Sequence, residues 1–330
     1  MRRHILVACL PLLLSACLSM GPRGDSPGAS GAVPPWVLNP PADTAETWYG
    51  VGEGPDRDAA RRAALKDVAS RLRVSISGKL ENQVTETNGQ VDRQARIRVS
   101  EEVQKTEFRN FTVDQAAQGP KGFHVLVRVD RRAFVTDVRG RLDALDATIA
   151  QAAPGLESSS PVERFVTLQR LRPTVDKAMA QAQLLLGAEN GGSAGARMGR
   201  YQGLLRQADE AAGALVFHVR AQAADADIAQ AVTTLVNENR MRADPAGGAG
   251  STPLEVAATA MQDEIRGSRV VKLTVRLTVR DARGQSMASK DYEVSGSSRY
   301  DFKAARQKAV EALLDAMRAE GPVAGLGFGS

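Results

Sequence analysis

The sequence predicts an α+β protein: two small αβ sandwich modules, each an antiparallel sheet with a packed helix, joined by a helical hairpin or bundle. Three observations carry this. Alternation appears in two separate stretches, "GFHVLVRVD" at 122–130 and, strictly apolar/polar, "SRVVKLTVRLTVRD" at 268–281. Between them the apolar period changes from two to about 3.6 residues. Each alternating block is accompanied by an Ala-rich amphipathic helix, one opening near Asp56 and one near Asp301. A helix with one apolar face must cover that face with a sheet or another helix, so each helix is assigned to the sheet beside it.

The first folded unit is read as 46–132. "ETWYGVG" is a short strand, and a helix follows Pro55 with Asp56 placed to cap it. Ala59, Ala60, Ala63, Ala64, Val68 and Leu72 make its small apolar face. "RVSISGKLENQVTETNGQVDRQARIRVS" reads as a hairpin turning at Asn88-Gly89. "TEFRNFTVDQ" and "GFHVLVRVD" pair across Gly119-Pro120-Lys121-Gly122. In the second of these Phe123, Val125, Val127 and Val129 face one way, His124, Leu126 and Arg128 the other.

A helical connector is read over 133–213. Phe134, Val138, Leu142, Leu145 and Ile149 form one stripe. "PVERFVTLQRLRPTVDKAMAQAQLLLG" is a second helix, kinked or restarted at Pro173. Gly191 to Gly195 mark a loop, and a third helix carries Met198, Tyr201, Leu204, Leu205 and Ala208 on one side. The last unit, 214–322, repeats the first grammar. "ALVFHVRA" is a strand; the next helix turns Ile228, Val232, Leu235 and Val236 inward; "PLEVAATAMQDEI" is a strand. Val271, Leu273, Val275, Leu277 and Val279 alternate with Lys272, Thr274, Arg276, Thr278 and Arg280 before a turn at Asp281–Gly284, a returning strand and a closing helix. A Gly-rich tail occupies 323–330. "DRDAAR" at 56–61 and "DFKAAR" at 301–306 echo each other, as a duplication or as chance between Ala-rich helices.

The chain opens with Arg2 and Arg3, then an apolar run from Ile5 to Ala16. Those twelve residues span about 18 Å as a helix, short of the ~30 Å hydrocarbon core of a bilayer. The run therefore suits a signal peptide over 1–16 rather than a membrane span. Leu14-Ser15-Ala16-Cys17 resembles the lipobox of bacterial lipoproteins. That resemblance implies cleavage between Ala16 and Cys17 and acylation at Cys17, including a palmitate-type chain. Leu18 after the cysteine implies export to the outer membrane. Of the two cysteines, Cys9 lies inside the leader, so the mature chain would keep only Cys17 and form no internal disulfide. Residues 17–45, dense in Gly, Pro and Ser, read as an acylated terminus and flexible tether, with Trp36 expected to pack on the first domain.

Formal net charge is +5. Such a balance fits an anionic partner, peptidoglycan or lipopolysaccharide, or an Arg-rich composition with solvated charges. Basic and aromatic residues are not interleaved, which argues against nucleic acid. Gly50, Gly52 and Gly54 resemble a dinucleotide turn, but the spacing is G-x-G-x-G and Pro55 removes an N–H that an anion would use. No nucleotide is expected there; the glycines serve close helix-to-strand packing.

"PPWVLNP", "WYGVGEG" and "DAARRAALKDVASRLRVSISGKLE" together resemble the LPP-20 lipoprotein family over about 34–132. The resemblance implies a compact αβ domain, similar to that of some flagellar assembly lipoproteins, on an outer-membrane accessory protein facing the periplasm, and it carries no catalytic residues. The residues themselves suggest no enzyme, cofactor or metal. His4, His124 and His218 lack neighbours at metal-ligand spacing. Glu101-Glu102 and Asp225/Asp227 are carboxylate pairs that helix charging explains. The best surface candidate is the row Lys272, Arg276, Arg280, which alternation puts on one sheet face, where it would meet an anionic polymer or simply water.

Overall fold

The computed structural model describes residues 33–86, 108–152, 154–189, 192–248 and 250–329. Ala16, Cys17, Asn88-Gly89 and Glu101-Glu102 lie outside the described residues.

The first module contains α1 (Pro35–Leu38), β1 (Thr47–Gly54), α2 (Arg57–Glu86), β2 (Phe111–Gly119) and β3 (Gly122–Asp130). Its sheet runs β1-β3-β2, antiparallel throughout. The end of the expected tether is held in place. α1 lies against β3 with Trp36 partly buried, and the Asp43 carboxylate takes the Tyr49 N–H at 2.8 Å and pairs with Arg71 at 2.7 Å. Asp56 caps α2 by accepting the Ala59 N–H at 2.7 Å.

The expected hairpin after residue 72 is overturned where the chain is described, because α2 continues to Glu86. The reason lies in the burial. Ala60, Ala64, Val68, Leu72 and Ile76 recur every fourth residue and all are buried, whereas Val74, which a strand would pair with Ile76, is 70% exposed. Alternating Val and Ser look like a strand locally, but the apolar row was already set at helical spacing, and tertiary burial outweighs propensity.

Three helices follow: α3 (Arg131–Ala152), α4 (Pro161–Ala188) and α5 (Ala194–Ala214). The stripe Phe134, Val138, Leu142 and Ile149 is buried as the spacing requires. The expected restart at Pro173 does not occur; α4 is one helix through it. One lost backbone hydrogen bond is outweighed by burial of Leu168 and Leu171 before the proline and Val175 and Ala178 after it. The connecting helices also enter the two cores that they join. Val162, Phe165 and Leu168 of α4, with Ala208, Ala211 and Ala212 of α5, belong to the core of the second module. Leu171 through Ala188 of α4, with Met198 and Tyr201 of α5, belong to the core of the first. The last carbonyls of α4 are tied to the first module: Ser75 bonds Gly187 O at 3.1 Å, Lys79 bonds Leu186 O at 2.9 Å, and Arg131 bonds Ala188 O at 2.8 Å.

The second module contains β4 (Val216–Ala221), a 3-10 turn at Ala223–Asp225, α6 (Ala226–Glu238), β5 (Arg242–Ala243), β6 (Thr252–Ile265), β7 (Ser268–Arg280), β8 (Ser286–Ser298) and α7 (Phe302–Ala324). Its sheet runs β5-β4-β6-β7-β8. The α+β class holds, but this sheet is mixed rather than antiparallel. β4 is parallel to both β5 and β6, because α6 carries the chain back before β5 begins. Val271, Leu273, Val275, Leu277 and Val279 are buried, as alternation predicts. The Gly-rich tail is not free: Leu326 is buried in the core and Gly325 O accepts the Tyr292 hydroxyl at 3.0 Å.

The sequence echo has a physical counterpart. Asp301 caps α7 through Ala304 N–H at 2.7 Å, matching Asp56 on α2. Gly296 of β8 lies against Ala305 and Ala309 as Gly52 of β1 lies against Ala60 and Ala64. The chain order is permuted, however. β1 and α2 precede the β2–β3 hairpin, whereas β8 and α7 follow the β6–β7 hairpin.

Candidate functional site

The row chosen from sequence does stand on one face of β7, but it is not a free anion comb. Arg276 donates from Nε and a terminal nitrogen to both oxygens of Asp291 on β8, each at 2.7 Å. That bond holds the Asp291 carboxyl below the ordinary value and raises the Arg276 guanidinium. Arg280 pairs with Glu255 on β6 at 2.7 Å and also bonds Gly284 O. Lys272 projects from the same face opposite Met261 and Ser295. Alternation on β7 could place the cations but not the carboxylates that neighbouring strands bring to them.

Arginines converge elsewhere. A cleft of about 600 Å³ is lined by Arg109, Arg128 and Arg132, with Glu46, Asn110 and Asp130. They come from the segment before β2, from β3 and from the start of α3. Arg132 pairs with Glu46 at 2.5 Å, and Asp130 is committed to capping α3 through Ala133 N–H at 2.8 Å. Arg128 stands exposed between Tyr49 and Thr112 of the adjoining strands. Sequence reading missed this group because its members lie up to 23 positions apart, Arg109 to Arg132. The one local signal was the Arg131-Arg132 doublet directly after a strand.

A larger cavity, about 940 Å³, opens between the loop after α3 and the α4–α5 pair. Leu156, Leu168, Leu204 and Ala211 form its apolar floor; Glu157, Gln207 and Glu210 stand at its rim. Its wall is braced. Ser160 and Glu163 make a reciprocal capping box at 3.2 and 2.9 Å, and the Ser160 N–H holds the Glu163 carboxyl below its ordinary value. Arg164 donates to Leu156 O and Glu157 O, both at 2.9 Å. The serines of this wall are spent on backbone: Ser158 donates to Gly155 O at 3.2 Å and Ser159 to Leu156 O at 2.8 Å. Neither hydroxyl faces an activating base in these bonds.

The other sequence candidates fall as follows. Gly50, Gly52 and Gly54 lie directly under Ala60 and Ala64 of α2, so there is no room between strand and helix for a pyrophosphate, and the helix N-terminus is taken by Asp56. His124 is buried on β3; His218 has its Nδ1 at 2.9 Å from Asp244 O. Asp225 and Asp227 both bond Arg306 of α7 and fasten α6 to it. Among the described residues no group of His, Cys, Asp or Glu could hold a metal ion, and no helix is long and apolar enough to cross a membrane.

No family model and no curated protein matches the chain. Two solved structures share part of its shape. A minor lipoprotein from Acinetobacter baumannii is 13% identical, covers 32% of this chain and 88% of its own, and superposes with a TM-score of 0.28. A secreted protein from Helicobacter pylori is also 13% identical, covers 85% of this chain and 98% of its own, with a TM-score of 0.45. Neither likeness is close enough to assign a family.

Proposed function

We propose that this is a lipid-anchored, non-catalytic accessory or scaffold protein of the bacterial cell envelope, held in the outer membrane by acylated Cys17 and facing the periplasm. The observation that carries the reading is Leu14-Ser15-Ala16-Cys17 directly after a short apolar run and two arginines. Two or three acyl chains on one terminus, at ~0.8 kcal/mol per buried CH₂, hold a protein on a bilayer durably. The folded body supports a binding role: the cavity beside α4 and α5 has an apolar floor and a braced wall, with serines bonded to backbone. The partner in this reading is a protein of an envelope assembly, and the LPP-20 resemblance makes a flagellum-related one the first to try. The test is growth with a fatty-acid probe. Wild-type chain takes up label and stays with membranes; Cys17→Ser does neither. Unlabelled wild type in the aqueous fraction would end the proposal.

A second reading, binding of peptidoglycan or lipopolysaccharide, is favoured by the convergence of Arg109, Arg128 and Arg132 on one cleft. Retention on purified sacculi or lipopolysaccharide would then fall with salt. It would fall again in Arg128→Ala/Arg132→Ala, but not in Lys272→Ala. Salt-independent retention, or equal retention of all three chains, counts against it.

A further inference from the structure

The hairpin of β6 and β7 outruns the rest of its sheet. β4 pairs with β6 only from Thr252 to Val256. Beyond that point, Ala257 to Ile265 keep β7 on one side, and no described strand lies on the other. Edges of this length are ordinarily blunted by charged side chains, lysine above all, by proline or by a bulge. "AATAMQDEI" contains neither lysine nor proline, its two charges, Asp263 and Glu264, sit together at the turn end, and its ladder with β7 runs without a register shift. Met261, at its centre, is 72% exposed.

The geometry fixes which backbone groups face outward. Arg266 and Gly267, at φ 50 and φ 76, make a two-residue turn between the paired residues Ile265 and Ser268. Residues flanking such a turn exchange both hydrogen bonds with each other, and the pattern then alternates. Odd-numbered residues of this stretch therefore bond to β7. Ala258, Ala260, Gln262 and Glu264 aim their N–H and C=O groups at the open edge. The Glu264 N–H agrees, since it is bonded at 2.8 Å by the neighbouring Asp263 carboxylate rather than by β7.

We propose that this edge pairs with the same edge of a second copy of the chain, antiparallel about a two-fold axis through Met261. That register overlaps all of Ala257–Ile265 and forms about eight main-chain hydrogen bonds, four donated by each copy, with the Glu264 N–H exchanging its Asp263 bond for the partner's carbonyl. It sets no like charges opposite each other. Asp263 comes opposite the partner's Thr259, a hydroxyl that can donate to it, and Glu264 comes opposite the partner's Ala258. The two Asp263 carboxylates stand four residues apart along the strand, about 14 Å, beyond the ~8 Å screening length. A parallel pairing would stack them. Met261 meets the partner's Met261, so the exposed side chain at the centre is covered by its own kind. The product is a continuous sheet crossing a closed two-fold interface. The inference stands apart from the anchor and holds whether or not Cys17 is acylated.

The experiment is disulfide trapping on the full chain in the intact cells that make it, beside the unsubstituted chain as the blank. Met261 and its counterpart form a non-hydrogen-bonded pair with Cα atoms about 4.5 Å apart, inside the 4.4–6.8 Å range of disulfides. Met261→Cys should give a band of twice the mass on a non-reducing gel. Glu264→Cys, about 20 Å from its counterpart, should give at least tenfold less. Adding Ala260→Pro to Met261→Cys removes an outward N–H that β7 does not use, so it should abolish linkage while the unfolding curve is unchanged. Absence of linkage, equal linkage of Met261→Cys and Glu264→Cys, linkage to a different protein, or linkage that survives Ala260→Pro each overturns the pairing.

Discussion

Consider Gly52→Ala on β1. A Cβ at this position would stand 2.7 Å from the Ala63 carbonyl carbon of α2 and still nearer to Ala60 O and Ala64 N. Real Cβ atoms do not approach other heavy atoms within 3.0 Å, and these neighbours are helix backbone, so no side chain can swing aside. The strand and α2 must separate by most of an ångström. That loosens Ala60, Ala64 and Val68 from Val125 and Val127, all of them buried. Overpacking in a core costs about 1–3 kcal/mol, and a clash with two rigid elements belongs at the upper end, near 3 kcal/mol. For a chain of 330 residues that lowers Tm by roughly 4–6 °C. Gly78→Ala supplies the opposite sign. It sits inside α2 with nothing within 4 Å of its would-be Cβ, so it should stabilise by about 0.5–1 kcal/mol. Both are read by circular dichroism in denaturant and heat. If Gly52→Ala unfolds within ~0.5 kcal/mol of wild type, the account of these glycines as packing devices is wrong, whatever Gly78→Ala does.

Three further outcomes follow from the same contacts. Trp48→Ala removes a buried ring packed at 6.2 Å from Phe108 and 5.4 Å from Phe134, beneath the Arg131 guanidinium; it should cost about 3–5 kcal/mol by chemical unfolding. Arg306→Ala leaves the buried Asp225 without that partner and should cost about 1–3 kcal/mol near neutral pH. The Arg306 hydrogen bond holds Asp227 below 3.8, its ordinary value, so this part of the stability is present above that pH and is lost as pH falls through the depressed value. An acid titration should show a smaller loss in Arg306→Ala than in wild type over that window. Finally, Arg276→Ala breaks an exposed pair and should leave the chemical unfolding curve close to wild type, with any effect shrinking in salt.

Elements whose own residues carry the pattern were legible before the fold was known. The five inward residues of β7, the stripe of α3, the inward face of α6 and the capping Asp56 depend on neighbours only a few positions away. Residues 73–86 misled because Val74, Ser75, Ile76 and Ser77 alternate locally, while the deciding partner of Ile76 is Gly187, more than a hundred positions on. Separation along the chain also hid the parallel placement of β4, which rests on pairing with Thr252–Val256. For the surface row, the cations were visible and their carboxylates were not, since Glu255 and Asp291 arrive from two other strands. The cleft of Arg109, Arg128 and Arg132 depends on convergence of three elements and had only a doublet of arginines to announce it.

α4 is 28 residues long, roughly 42 Å of unbroken helix, and its two ends are planted in different hydrophobic interiors. A boundary drawn on either side of it would strip half of its greasy surface bare, so the two halves of the molecule cannot be prepared as stable fragments. They should melt in one transition. A pull or a twist applied to either end would reach the other through a girder instead of being lost in a hinge.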